Sequence, residues 1–149
     1  MNALQLLEAD HKKVKKLMEE IEPTTERGIK TREELFTKLR SELEVHEAIE
    51  EEIFYPALKE HPKAKELVLE AYEEHNVVDM VMGEIEDVPY DDETWGAKFT
   101  VLKENLEHHI EEEESEMWKQ ARAVFDDDEL DALGDRMAAR KEELSAATR

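Results

Sequence analysis

Four stretches of this chain carry apolar residues at steps of three and four, with charged residues almost everywhere else. The stripes run Leu4, Leu7, His11, Val14, Met18, Ile21 and then Phe36, Leu39, Leu43, His46, Glu50, Ile53. The third is Val68, His75, Val78, Met82, Ile85, and the fourth Phe99, Leu102, Leu106, His109, Glu113, Met117. That period is the buried face of an α-helix, and no strand alternation or hairpin dipeptide interrupts it. Breaks at Pro23, His61-Pro62 and 87–92 predict helices over about 3–22, 31–59, 63–86 and 93–124. Asn2 is placed to cap the first, and Thr31 with Glu34 to form a capping box on the second. Pro62 suits the first position of the third helix, and Pro56 should bend the last turn of the second. Short connections between such helices predict an all-α fold, an up-down-up-down antiparallel four-helix bundle over residues 1–125. In the remaining 126–149, Asp126, Asp127 and Asp128 cap a short fifth helix over about 129–146. Its Leu130, Leu133, Met137 and Leu144 pack it on or beside the bundle.

The chain also repeats itself. A shift of 64 places His11, Val14, Met18, Ile21 and Glu22 on His75, Val78, Met82, Ile85 and Glu86. A shift of 63 places Phe36, Leu39, Leu43, Glu44, His46, Glu50 and Glu51 on Phe99, Leu102, Leu106, Glu107, His109, Glu113 and Glu114. Two helical hairpins are therefore approximate copies, and a pseudo-twofold axis is expected between them.

The residues that interrupt the stripes carry the chemistry. His46 and Glu50 are four apart, as are His109 and Glu113, so each pair leaves one face of its helix a turn apart. His11 and His75 occupy the matching place on the other two helices. Mid-helix positions of an antiparallel bundle meet at one level, which gathers four imidazoles and two carboxylates in one core layer. An unpaired buried carboxylate costs several kcal/mol or shifts its pKa until it is neutral. Cations satisfy such a layer best, and nitrogen and oxygen donors without sulfur suit iron, manganese or zinc. The twofold repeat favours two ions sharing the Glu pair. His61 and His108 fall off the stripe and are expected in solvent. Glu51, Glu52, Glu111, Glu112 and Glu114 are read mostly as an exposed face, and Met18, Met82, Phe36, Phe99 and Trp118 as core.

Composition narrows the partners. With 41 Asp and Glu against 20 Lys and Arg, the formal charge is −21, which repels nucleic-acid phosphates and anionic membranes. No apolar run approaches the roughly 20 residues that span a bilayer. The absence of cysteine removes disulfides, thiolate ligands and thiol nucleophiles. A cytoplasmic protein, monomer or weak homodimer, is the expectation.

His11, His46-x-x-x-Glu50-Glu51 followed by Phe54-Tyr55-Pro56, His75, and His108-His109-x-x-x-Glu113-Glu114 together resemble the hemerythrin-like (HHE) cation-binding family over about residues 3–125. The resemblance implies a non-haem di-iron centre: two iron ions bridged by both carboxylates and an oxo or hydroxo group. It implies His11, His46, Glu50, His75, His109 and Glu113 as the ligands, with zinc or manganese as substitute metals. Two positions depart from the oxygen-carrying hemerythrins. Those have a second His where this chain has Asp79, and an Asp one place beyond Glu113. Position +4 lies about 40° around the helix from His109 and +5 about 140°, which favours Glu113, with Glu114 as the alternative. The missing His leaves one iron with an additional open position unless Asp79 reaches in.

An open metal position behind a wall of Leu7, Val14, Leu43, Val78, Met82 and Leu106 suits small oxidants such as dioxygen, hydrogen peroxide or nitric oxide. Catalase-like decomposition of peroxide is the specific expectation. The alternatives are an iron- or oxygen-sensing module in which metal binding supplies folding energy, and a structural bundle that takes zinc without redox function.

Overall fold

The computed structural model describes residues 1–147, helical over most of their length and with no strand among them. The helices are α1 Ala3–Ile21, α2 Ile29–Ile49, α3 Tyr55–Lys59, α4 Lys65–Glu86, α5 Trp95–Glu112, α6 Trp118–Val124 and α7 Asp127–Ala147. Single π-helical turns, Glu50–Phe54 and Glu113–Met117, join α2 to α3 and α5 to α6. Each joined pair is one continuous helix, 29–59 and 95–124. No described helix is long and apolar enough to cross a membrane.

The ends follow local chemistry, with four departures from expectation. Asn2 caps α1 as read: its side chain accepts the Gln5 N–H at 2.9 Å, and the Gln5 side chain accepts the Asn2 N–H at 3.0 Å. The Thr31–Glu34 box does not form. Gly28 already turns the chain, α2 starts at Ile29, and Thr31 lies inside the helix. Pro62 is not the first residue of α4. It belongs to a turn in which the N–H groups of Ala64 and Lys65 bond the carbonyls of His61 and Pro62, and α4 starts at Lys65. The fifth helix is not short, with 21 residues against 19 in α1, and its cap is Asp126 paired with Glu129. Finally, the irregularity near Pro56 is the π turn ahead of it. The same turn recurs at Glu113–Met117, where no proline stands, so proline is not its cause.

α1 packs on α2, α4 on α5, and α7 lies along α1, α2 and the first π turn. Two apolar clusters form. One gathers Leu4, Leu7, Ile49, Phe54, Tyr55, Trp118, Leu133 and Met137, so α7 shares it. The other gathers Val14, Met18, Phe36, Leu39, Val78, Trp95 and Leu102. His11 falls between the two along α1, and the polar layer separates them. Burying each large aliphatic or aromatic side chain contributes roughly 1.5–3 kcal/mol, which offsets the polar layer's desolvation. At the end near Trp95, buried Arg32 donates to the carbonyls of Thr24 and Tyr90, both at 2.6 Å, and lies 4.3 Å over the Trp95 ring.

Candidate metal centre

The structure brings all six residues read from the stripes into one buried layer, none more than 5% exposed. Glu50 Oε1 lies 3.1 Å from His46 Nε2 and 3.2 Å from His75 Nε2. Glu113 spans both halves, with Oε1 3.0 Å from His11 Nε2 and Oε2 3.3 Å from His109 Nε2. The imidazoles pair as His11 with His46 and His75 with His109, ring centroids 5.0 and 4.9 Å apart.

Each of these four histidines turns Nε2 inward and meets a carboxylate with Nδ1. The partners are Glu114 for His11 (2.6 Å), Asp10 for His46 (2.9 Å), Glu51 for His75 (3.3 Å) and Glu74 for His109 (2.7 Å). An Nδ1–H donated outward leaves the Nε2 lone pair facing the centre, which is how metal-binding histidines are held. Asp10 corresponds to Glu74 and Glu51 to Glu114 under the internal repeat, so the outer carboxylates are duplicated with the inner layer. Sequence reasoning read Glu51 and Glu114 mostly as an exposed face, with Glu114 also the alternative to Glu113 as a ligand, and passed over Asp10 and Glu74. The available signal was an acid directly before His11 and His75, and Glu doublets at 50–51 and 113–114.

The π turns position the aromatic neighbours. In each, an N–H bonds a carbonyl five residues back, Tyr55 to Glu50 and Trp118 to Glu113. The wider turn sets Tyr55 against His75 (centroids 5.3 Å) and stacks Trp118 on His11 (5.8 Å, 13° between planes). The two then differ. Trp118 donates outward to Glu8 at 2.8 Å, whereas the Tyr55 hydroxyl donates inward to Glu113 Oε2 at 2.5 Å and lies 3.2 Å from His75 Nε2. Tyr55 is the inner-layer residue that sequence reasoning missed.

The electrostatics are those of imidazoles and carboxylates that favour one another's charged forms. Burial opposes a charged His46, but Glu50, Asp10 and Glu113 outweigh it and raise its pKa to about 10. His109 is pushed well above its ordinary value against the same burial penalty, chiefly by Glu113, and His75 is raised by Glu50. Glu113 is buried, yet His109 and His11 hold it well below the carboxylate range. Burial raises the Tyr55 hydroxyl further, with Glu113 and Glu50 adding to it.

The donor set fits metal ions. The Nε2 atoms of His46 and His109 and both Glu50 oxygens are buried without a hydrogen bond, although they approach one another closely. Buried polar atoms are almost always partnered, so such a convergence calls for a shared ligand. His11, His46, Glu50 and Glu113 form one group, and Glu50, His75 and His109 a second, with ligating atoms in each within 4.8 Å of one another. These clusters are able to hold metal ions.

Val14, Leu43, Val78, Leu106, Ile110 and Glu47 wall the layer and leave about 10 Å³ of internal space, room for one water-sized molecule. Val14, Leu43, Val78 and Leu106 lie where expected. Leu7 belongs to the cluster on the other side of the layer, and Met82 lines an outer groove instead. Asp79 is exposed and shares a hydrogen bond with Glu47, whose carboxyl is raised to about 8 by burial and by Asp79, with His75 opposing. Glu114 serves His11 from the rim. His108 is exposed, while His61 packs edge-on against Phe125.

A buried layer of imidazoles and carboxylates in a helical protein defines a class, that of helical domains able to hold cations. The hemerythrin HHE cation binding domain matches residues 2–121, and the chain belongs to that family. It is 30% identical over 145 residues to the uncharacterized protein Rv2633c of Mycobacterium tuberculosis, a match covering 97% of this chain and 88% of that protein. The uncharacterized protein Mb2666c of Mycobacterium bovis matches equally. The crystal structure of a hemerythrin HHE cation binding domain-containing protein from Mycobacterium kansasii, a homolog of Rv2633c, superposes with a TM-score of 0.88 at 31% identity. That likeness covers 99% of this chain and 89% of the other.

Proposed function

We propose that this protein holds two non-haem iron ions in an up-down-up-down four-helix bundle and reacts there with small oxidants, decomposing hydrogen peroxide in the manner of a catalase. The observation that carries the reading is the orientation of four histidines, each with Nδ1 on a carboxylate and Nε2 turned to the layer that Glu50 and Glu113 span. His11, His46, Glu50 and Glu113 would hold one ion and His75, His109 and the shared carboxylates the other. Iron, when bound, supplies the electron transfers that convert two peroxides to two waters and one dioxygen.

The chain's own residues supply the rest. Val14, Leu43, Val78 and Leu106 exclude bulk water and admit only molecules of diatomic or peroxide size. Tyr55 holds a proton at Oη beside Glu113 Oε2 and His75 Nε2, a placement suited to returning it to an oxygen atom reduced in the layer. Glu47 borders the same space and keeps its proton at neutral pH. No cysteine is present, so thiol chemistry contributes nothing.

The test is oxygen evolution from peroxide by iron-reconstituted protein against an equal concentration of free iron. The reading expects release above the free-iron control, abolished in a His46→Ala, His109→Ala double variant. Release no greater than free iron from a protein carrying two irons would remove turnover and leave an iron- or oxygen-sensing module.

A further inference from the structure

The stripe on α7 contains one residue that does not belong to an apolar face. Leu130, Leu133, Met137 and Leu144 step by three, four and seven, and Lys141 fills the gap between the last two. A lysine at such a place normally extends its stem along the surface and leaves its ammonium in water. Here the ammonium is directed inward, onto Asp10 Oδ1.

Asp10 is unlike the other outer carboxylates. Its side chain is 2% exposed, against 34% for Glu114, 41% for Glu51 and 25% for Glu74. Those three reach solvent, whereas Asp10 must find every partner inside the protein. It finds two: Oδ2 meets His46 Nδ1 at 2.9 Å, and Oδ1 meets Lys141. The internal repeat pairs Asp10 with Glu74, and among the described residues Glu74 is met by His108 and His109 and by no lysine. The carboxylate behind His46 is thus covered by α7, whereas its counterpart behind His109 lies at the surface. The depth of α7 is fixed by backbone contact, because a Cβ at Gly134 would lie 2.5 Å from the Met1 carbonyl oxygen.

We propose that Lys141 is a positioning residue for the metal centre: its ammonium holds Asp10, and Asp10 holds the Nδ1–H of His46, so that Nε2 faces the ion. The proposal deepens the two-ion reading and makes the His11–His46 position depend on α7, while the His75–His109 position does not. Without Lys141, Asp10 keeps a buried oxygen unpaired and the ring loses its fixed partner.

Three variants of the full chain test this. Lys141→Met keeps the stem and removes the charge, Lys141→Arg restores a cation, and Arg140→Gln breaks the α7 ion pair to Glu52 without touching Asp10. In the metal-free protein, nitrogen-15 spectra of the histidine rings should show a His46 Nδ1–H protected from solvent exchange. Protection should survive in Lys141→Arg and Arg140→Gln and disappear in Lys141→Met. In titrations with zinc, Lys141→Met should weaken one of two binding steps by about tenfold, the lower end for loss of a carboxylate that orients a ligand, and leave the other unchanged. The proposal is overturned if Lys141→Met behaves as wild type, or if Arg140→Gln causes the same losses. A wild-type chain that takes up no ion would sink the two-ion reading, while the His46 ring signal would still decide the role of Lys141.

Discussion

Each central histidine uses its two nitrogens for two purposes, and the outer one is set by a carboxylate from a neighbouring segment. Glu51 and Glu114 come from the π turns, Asp10 and Glu74 from the residues just before His11 and His75. Replacing Asp10 or Glu74 by the amide keeps size and removes the charge that makes Nε2 a strong donor. Asp10→Asn and Glu74→Gln should each weaken metal binding by about 10–100-fold, measured by competition with a chelator, with Asp10→Asn the more harmful because Asp10 is the buried one. The inner layer was legible in the sequence because His11, His46, Glu50, His75, His109 and Glu113 interrupt apolar stripes, where a polar residue is conspicuous. The outer carboxylates were not. In a chain with 41 acidic residues, an extra Glu on a helix carries almost no signal until the fold shows which ones face a ring.

At the scale of elements, helix positions followed from the apolar period, but the π turns did not. A wide turn adds one residue without changing composition, and Ile53, Phe54 and Tyr55 are all apolar enough to suit either geometry. Both copies place the turn at the buried Glu, as expected of a device that serves a site. Deleting exposed Ser115 should convert the second turn to ordinary α-helix while keeping the downstream face in register. Circular dichroism should stay helical and the metal content per chain should fall; unchanged content would make the turn incidental. The docking of α7 rests on Gly134, where a methyl group would strike the Met1–Ala3 backbone. Gly134→Ala should therefore cost about 1–3 kcal/mol, read as a lower melting temperature and faster proteolysis of the C-terminal helix.

For the whole molecule, the charged layer ties stability to pH. His46 has a folded pKa of about 10 against 6.5 in a free chain. Its contribution to stability is fully present below 6.5 and is lost as pH rises through about 10. Glu47, raised to about 8 from 4.5, acts in the same direction over a lower range. The metal-free protein should lose about 1.4 kcal/mol per pH unit for each proton so held, seen as a melting temperature that falls steadily from pH 7 to 9.5. The loaded protein should lose less over that range, because an ion replaces the proton on His46 while Glu47 keeps its own titration, and loading should release protons into weakly buffered solution. A metal-free melting temperature that rises with pH would contradict the charge assignment.

Six residues holding two ions is the proposal on which the other predictions rest. The most direct measurement is the metal content of the full chain, reconstituted anaerobically with ferrous ion, desalted and analysed by elemental mass spectrometry beside a Glu50→Gln, Glu113→Gln double variant. Wild type should retain two irons per chain and the variant none. Wild-type protein that retains no iron, or a variant that retains as much as wild type, would contradict it.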